Sequence, residues 1–302
     1  MANNKTSFRF YRIEYPDRGV TIESVLEAES MAGEPHVLTA DFGGRKYRFY
    51  SLEYDNVRKV WFGEIGLIDM KLTRHWATPT GQSYSPFVLE QNQGIADPAA
   101  FLYWPERQVL LIQYVHTGAR VGRWVDLLQS MSGDIDAKAY PVMDEEKMSR
   151  EGAFDEYTKF EIGYAGRMSP EHYDDLSTKA AFKVADEFGS NRTTIVMSLG
   201  HKDAESLKGG RVRALIDAWR AGKFGDQLTK LKLTGRRTDG QNPDGSTQIS
   251  EEIDLLKHQL REDSDLSVDE NRTVPYALRQ AEIQRIFGRK RGVLMNTLNA
   301  RE

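Results

Sequence analysis

The spacing of apolar residues changes character several times along the chain, and each change predicts an element. Phe8, Phe10, Tyr11, Ile13 and Tyr15 make an aromatic-rich segment of high β propensity that stops at Pro16-Asp17. Thr21 can cap a short helix in which Ile22, Val25 and Leu26 keep helical spacing, with Gly33 beyond its end. Val37–Asp41 and Tyr47–Leu52 read as strands joined at Gly43-Gly44, and Val60–Ile68 as another. Residues 73–98 show little periodicity and predict a long loop. Phe101–Trp104 and Gln108–His116, separated by Pro105-Glu106-Arg107, form the clearest hairpin. Val121, Trp124, Val125 and Leu128 then follow a 3.6 period up to Gly133.

The second half alternates. Tyr157–Tyr164 predicts a strand, and Ser169-Pro170 the start of a helix reaching about Phe188. Thr193–Leu199 reads as a strand, 209–222 as a helix, and Leu228–Gly235 as a strand paired across Asp239–Ser246 with Gln248–Leu256. A helix from about Val274 to Leu298 ends the chain. The pattern predicts an α+β fold in two domains: 1–133 of mixed β and α, an acidic linker at 134–150, and 151–302 running β-α-β-α-β-β-α.

Composition narrows the chemistry. The 302 residues contain no cysteine, which excludes disulfides, thiol nucleophiles and cysteine-held zinc or iron–sulfur clusters. The first ten residues lack an apolar run of signal-peptide length, and no stretch approaches the ~18 apolar residues of a membrane span, so a cytoplasmic location is expected. Phosphate-binding glycine loops, HExxH, EF-hand and GxSxG patterns are absent. The six histidines show no i,i+3 or i,i+4 pair, and nothing calls for a metal or cofactor. One catalytic alternative stays open. Asp69-Met70-Lys71 with Asp55 upstream could hold Mg²⁺ in a nuclease, although the chain's three [DE]-x-K matches compare with about two expected by chance.

The formal charge of −4 hides segregation. Residues 134–201 carry −6 and 250–270 carry −6, whereas 202–237 carry +6 and 271–302 carry +5. Arg211, Arg213 and Arg220 lie on the helix at 209–222, whose apolar stripe is Val212, Leu215, Ile216 and Trp219; Asp217 sits between two of the arginines. Lys230, Lys232 and Thr234 alternate with Leu231 and Leu233, giving a strand one basic face, and Arg236-Arg237 follow. Arg285, Arg289 and Lys290 add a basic side to the last helix. Its apolar residues Tyr276, Ile283, Phe287, Leu294 and Leu298 recur at 7, 4, 7 and 4, a narrow seam that serves either as a dimer interface or as internal core. These basic residues are candidate contacts to a nucleic-acid backbone. The competing reading is a solvated surface in which the acidic segments neutralise the basic ones, as in a protein-interaction module.

The opening Phe8-Arg9-Phe10-Tyr11-Arg12, the Phe101–Gln129 strand-and-helix segment, and Leu231-Lys232-Leu233 leading through a glycine turn to Glu252–Leu260 and the helix at Tyr276-Ala277 resemble the RexA-type phage-exclusion proteins. The resemblance covers element order over most of the chain. It implies a non-enzymatic prophage protein that binds double-stranded DNA with little sequence preference and forms a homodimer. It also implies an intracellular sensor or effector of abortive infection, in some systems with a membrane or second defence-protein partner. No residue motif is carried over with it.

Overall fold

The computed structural model describes the chain except residues 1–2, 17–18, 40–44, 71–74, 78–83, 87, 91–92, 116, 145–153, 166–178, 191, 200–205, 221–227, 239–247, 271–272 and 300–302. It also leaves aside the side chains of 75–77, 84–86, 165, 179, 181–182, 186, 220, 237–238, 248–251, 258 and 299. The elements run β1 (Asn3–Glu14), α1 (Ile22–Met31), β2 (Leu38–Thr39), β3 (Arg45–Asp55), β4 (Val60–Asp69), β5 (His75–Ala77), β6 (Tyr84–Pro86), β7 (Ile95–Trp104), β8 (Val109–Tyr114) and α2 (Val121–Met131). They continue with β9 (Lys138–Pro141), β10 (Glu156–Ala165), α3 (Lys179–Glu187), β11 (Arg192–Ser198), α4 (Gly209–Arg220), β12 (Leu228–Thr238), β13 (Gln248–Asp254), β14 (Arg261–Ser267) and α5 (Tyr276–Asn299). Helices and mostly antiparallel sheets together make the fold α+β.

Two compact units form. One comprises Met1–Ala139 with Arg261–Arg291, the other Tyr140–Leu260 with Gly292–Glu302. The chain first passes from one unit to the other between Ala139 and Tyr140. The expected continuous second domain, 151–302, does not hold, because β14 pairs antiparallel with β1 from Asn3↔Ser267 to Arg9↔Arg261 and returns the chain to the first unit.

In the first unit the sheet order is β14-β1-β8-β7-β4-β3-β2, with β9 pairing β1 off this path. Alternation sends successive side chains to opposite faces. Tyr11, Phe49, Ile65, Phe101 and Tyr103 turn to one face, where α1 and α2 bury Ile22, Leu26, Trp124 and Leu128 against them. Trp124 stands edge-on to Phe49 and Phe101, with ring centroids 6.3 and 5.8 Å away. The intervening Phe62, Glu64, Ala100, Leu102 and Trp104 are also buried, and α5 covers that side: Phe287 lies edge-on to Trp104 at 5.3 Å. Strands β4, β7 and β8 are apolar at consecutive positions because both of their faces are covered.

A β-bulge in β3 makes room for α5. Ser51 adopts φ 53°, and the register shifts between Tyr50↔Glu64 and Glu53↔Phe62, so Tyr50 and Glu53 face the same side. The Tyr276 hydroxyl donates to the Ser51 carbonyl at 3.4 Å, and Gln280 donates to Glu53 at 3.3 Å. Residues 73–98, expected as a loop, contribute the small β5–β6 hairpin and the start of β7.

The second unit holds a four-stranded antiparallel sheet, β11-β10-β12-β13. Phe160, Ile162, Leu231 and Leu233 point to one face, on which α4 lays Val212, Leu215, Ile216 and Trp219. Gly235 lies under the Phe154 ring, which an added Cβ would strike. Leu260 donates its backbone N–H to the Val142 carbonyl at 2.7 Å, beside a Met143↔Gln259 bridge, so the two ends of the segment meet. Among the described residues, no helix is long and apolar enough to cross a membrane.

Candidate nucleic-acid interface

The second unit sorts the described basic residues of 202–237 into two layers. On β12, Lys230, Lys232 and Arg236 alternate with the buried Leu231, Leu233 and Gly235, as the sequence predicts. That alternation turns them away from α4, so Arg211 and Arg213, exposed on the two flanks of the helix beside the buried Val212, lie on the opposite side of the sheet from them. The described basic residues of 202–237 therefore lie on two surfaces, not one.

The strand face is already occupied by carboxylates. Glu161 of β10 lies diagonal to Lys230, whose cross-strand neighbour is Gly163; a Cβ at Gly163 would come within 2.8 Å of Lys230 Cβ. Lys230 and Lys159 both pair with Glu161, which is 7% exposed, and their hydrogen bonds hold its carboxyl down at about 2. Lys232 pairs with Glu252 on β13, and the Lys232 pKa is raised chiefly by that hydrogen bond. Five cations on this face (Lys159, Arg192, Lys230, Lys232, Arg236) thus stand among four carboxylates (Glu156, Glu161, Glu252, Asp254).

The basic side of α5 is paired in the same way. Arg285 donates to both Glu282 oxygens, at 2.8 and 2.5 Å, which lowers the Glu282 pKa and raises its own. Arg289 and Lys290 converge on Glu262 of β14, at 2.5 and 3.4 Å. This carboxylate comes from the acidic segment 250–270, which the sequence offered as a partner for its basic neighbours.

The apolar seam of α5 is core of a single chain. Ile283, Phe287 and Leu294 are buried and Tyr276 is half-buried against β3, so the side chains proposed for a dimer interface are already covered within one chain. The sequence left both outcomes open because periodicity shows that a helix has an apolar side but not what covers it.

Arg211 and Arg213 remain. Both are exposed, and Lys208, one turn upstream of Arg211, is exposed with them. Among the described residues no carboxylate pairs with any of the three. Sequence reading passed over Lys208 because it precedes the helix; its carbonyl accepts from Arg211 N at 2.9 Å and Val212 N at 3.2 Å and so opens the first turn. The side chains of Arg220 and Arg237 fall outside the described residues.

The nuclease candidates come apart. Asp55 and Asp69 end the β3–β4 hairpin at opposite tips, as Asp55↔Val60 and Arg45↔Asp69 show. Val60 and Asp69 are the two ends of the ten-residue β4, roughly 30 Å apart at about 3.4 Å per residue, too far to share a metal. Asp55 instead closes its turn. It accepts from the backbone N–H groups of Val57 and Arg58 at 2.8 and 2.9 Å and pairs with the Arg58 side chain at 2.6 Å; these bonds, the Arg58 N–H first, lower its pKa. Lys71 lies outside the described residues. Among the described residues no three acidic or histidine side chains gather as a metal site.

Sequence reading also missed a charged pair under α5. Arg279 Nη2 lies 2.5 Å from Glu64 Oε1 while Nη1 donates to the Pro98 carbonyl at 3.1 Å; both residues are less than a tenth exposed. No protein-family model matches the chain, and no curated protein matches it in sequence.

Proposed function

We propose that this chain is a non-enzymatic, largely sequence-independent double-stranded DNA-binding protein of phage-exclusion type, acting as a homodimeric intracellular sensor or effector. The observation that carries the DNA contact is that Lys208, Arg211 and Arg213, at the start of α4, are exposed and pair with no carboxylate among the described residues. Arginine and lysine without carboxylate partners bind phosphate without first breaking an ion pair, and the positive end of a helix adds modestly to the attraction. The lysines of β12 and the basic side chains of α5 are secondary contacts, since a phosphate must displace Glu161, Glu252, Glu282 or Glu262 to reach them.

Three phosphate contacts per chain set the salt dependence. Binding to an arbitrary 30-bp duplex is expected to weaken with a log–log slope of about −2.7 per chain engaged. Binding that ignores salt, or none at low ionic strength, overturns the reading. The second reading, a protein-interaction module, is favoured by the pairing of Lys230, Lys232, Arg285, Arg289 and Lys290 with carboxylates. Under it, duplex DNA of any length fails to shift the protein in an electrophoretic assay at low salt.

A further inference from the structure

The two larger sheets end in four terminal strands, and three of these are guarded against pairing with another chain. β2 is two residues long, β14 carries Arg261, Glu262, Asp263 and Asp265, and β13 carries Glu251, Glu252 and Asp254. Short length and charge are the ordinary protections of an exposed edge. β11 carries a single charge, Arg192 at its first position; from Thr193 to Ser198 it reads Thr-Thr-Ile-Val-Met-Ser, and Val196 is 52% exposed.

The ladder fixes which backbone groups face outward. Leu199 N–H donates to the Thr158 carbonyl at 3.2 Å, continuing the Ser198↔Lys159 register. In an antiparallel ladder, residues bonded to the neighbour alternate with residues whose N–H and C=O point away. Thr193, Ile195 and Met197 therefore bond β10, while Arg192, Thr194, Val196 and Ser198 face the edge. Arg192 confirms the parity, since the Ser190 hydroxyl accepts from its N–H at 3.3 Å and donates to its carbonyl at 2.7 Å. The outward groups of Thr194, Val196 and Ser198 have no such partner among the described residues.

We propose that β11 pairs with β11 of a second copy of this chain, antiparallel, about a two-fold axis at Val196. In that register Thr194 faces the partner's Ser198, Val196 faces the partner's Val196, and Ser198 faces the partner's Thr194. All three are residues whose backbone groups point outward in both copies, so each pair closes as a hydrogen-bonded pair. The strand is self-complementary: hydroxyl meets hydroxyl, the exposed valines cover each other, and Arg192 lies beyond the paired segment, so no like charges are opposed. The axis stands normal to the sheet and sets both copies of α4 on the same side. The interface rests on the homodimer reading above and is separate from the DNA contact, which concerns α4.

The absence of native cysteine makes the register measurable. Sedimentation of the wild-type chain at about 50 µM is expected to give twice the 34.4 kDa chain mass. Val196→Cys, oxidised by glutathione disulfide, which is reduced to two thiols as the bond forms, is expected to cross-link fully. The axis puts the two Cα atoms about 5.5 Å apart, within disulfide range. Ser198→Cys is the control. Its twin lies four residues along the partner strand, roughly 14 Å away at about 3.4 Å per residue, and does not cross-link. Val196→Lys places two ammonium groups opposite each other and is expected to yield a monomer whose circular dichroism matches the wild type. A monomeric wild type overturns the proposal, and so does a dimer that Ser198→Cys captures as well as Val196→Cys. DNA binding lost without change in mass would count against the α4 reading alone.

Discussion

Replacing Arg279 with methionine strips the countercharge from a carboxylate that folding has buried. Glu64 is 7% exposed, and burial raises its pKa despite the opposing attraction of Arg279, whose own pKa burial lowers. With Arg279 gone, the carboxylate either stays ionised and unpaired or takes up a proton on folding. Protonation caps the loss. Against an ordinary value of 4.5, holding Glu64 neutral at pH 7 costs about 3.4 kcal/mol at ~1.36 kcal/mol per unit. The Arg279→Met variant is therefore expected to lose about 3 kcal/mol at pH 7, near the range for breaking a buried pair. The sign of the pH dependence follows. A carboxyl whose pKa is raised in the fold favours folding at low pH, so the deficit shrinks as pH falls and is about 0.7 kcal/mol at pH 5. The double variant Glu64→Gln/Arg279→Met leaves no buried charge and should return to within about 1 kcal/mol of wild type. Urea titrations read by amide exchange in β4 and β7 report the unit that holds the pair. A deficit independent of pH, or one below about 1 kcal/mol at pH 7, refutes the reasoning.

Phe287→Ala removes the ring that meets Trp104 and is expected to cost about 3–5 kcal/mol in urea unfolding, with no change in oligomeric state. A dimer that dissociates while the first unit keeps its stability would restore the seam as an interface. Glu161→Gln tests the β12 face in the opposite direction. The native carboxyl titrates at about 2, below its ordinary 4.5, so it adds stability above pH 4.5 that is lost as pH falls towards 2. Screening at its half-exposed lysines limits this to about 1 kcal/mol. The variant should lose that acid-dependent increment on an acid-titration melt and bind duplex DNA more tightly, by freeing Lys159 and Lys230; unchanged binding would show that the β12 face makes no contact. Gly235→Ala drives a methyl into the Phe154 ring and should destabilise the second unit by about 1–3 kcal/mol in thermal melts.

Local periodicity carried much of this fold. The aromatic opening strand, the Phe101–His116 hairpin and the helices at 121–131 and 276–299 are set by residues near each other in sequence. β14 was not legible because Leu266 is its only buried apolar residue and its pairing partner, β1, lies some 250 positions earlier. A clue did exist. Phe62, Ala100, Leu102 and Trp104 fill the alternate positions of strands whose other face is also apolar, which requires a second covering layer, and α5 supplies it. The candidate interface shows the same division. Alternation along β12 placed Lys230 and Lys232 on one face, but Glu161 and Glu252 reach that face through the registers of β10 and β13, which no local pattern encodes. Arg211 and Arg213 were legible as exposed; that they lie across the sheet from the lysines was not.

On this proposal DNA phosphates meet the cations of α4, which no described carboxylate pairs, rather than the paired ones elsewhere. The direct measurement is duplex affinity at fixed salt for two double variants, Arg211→Gln/Arg213→Gln and Lys230→Gln/Lys232→Gln. Each lost phosphate contact reduces the salt slope by about 1, so the α4 variant should bind at least tenfold more weakly with its slope reduced by about 2 per chain. The β12 variant should remain within about threefold of wild type, because carboxylates already hold its lysines. The reverse order of effects, or equal and small losses in both, contradicts the account.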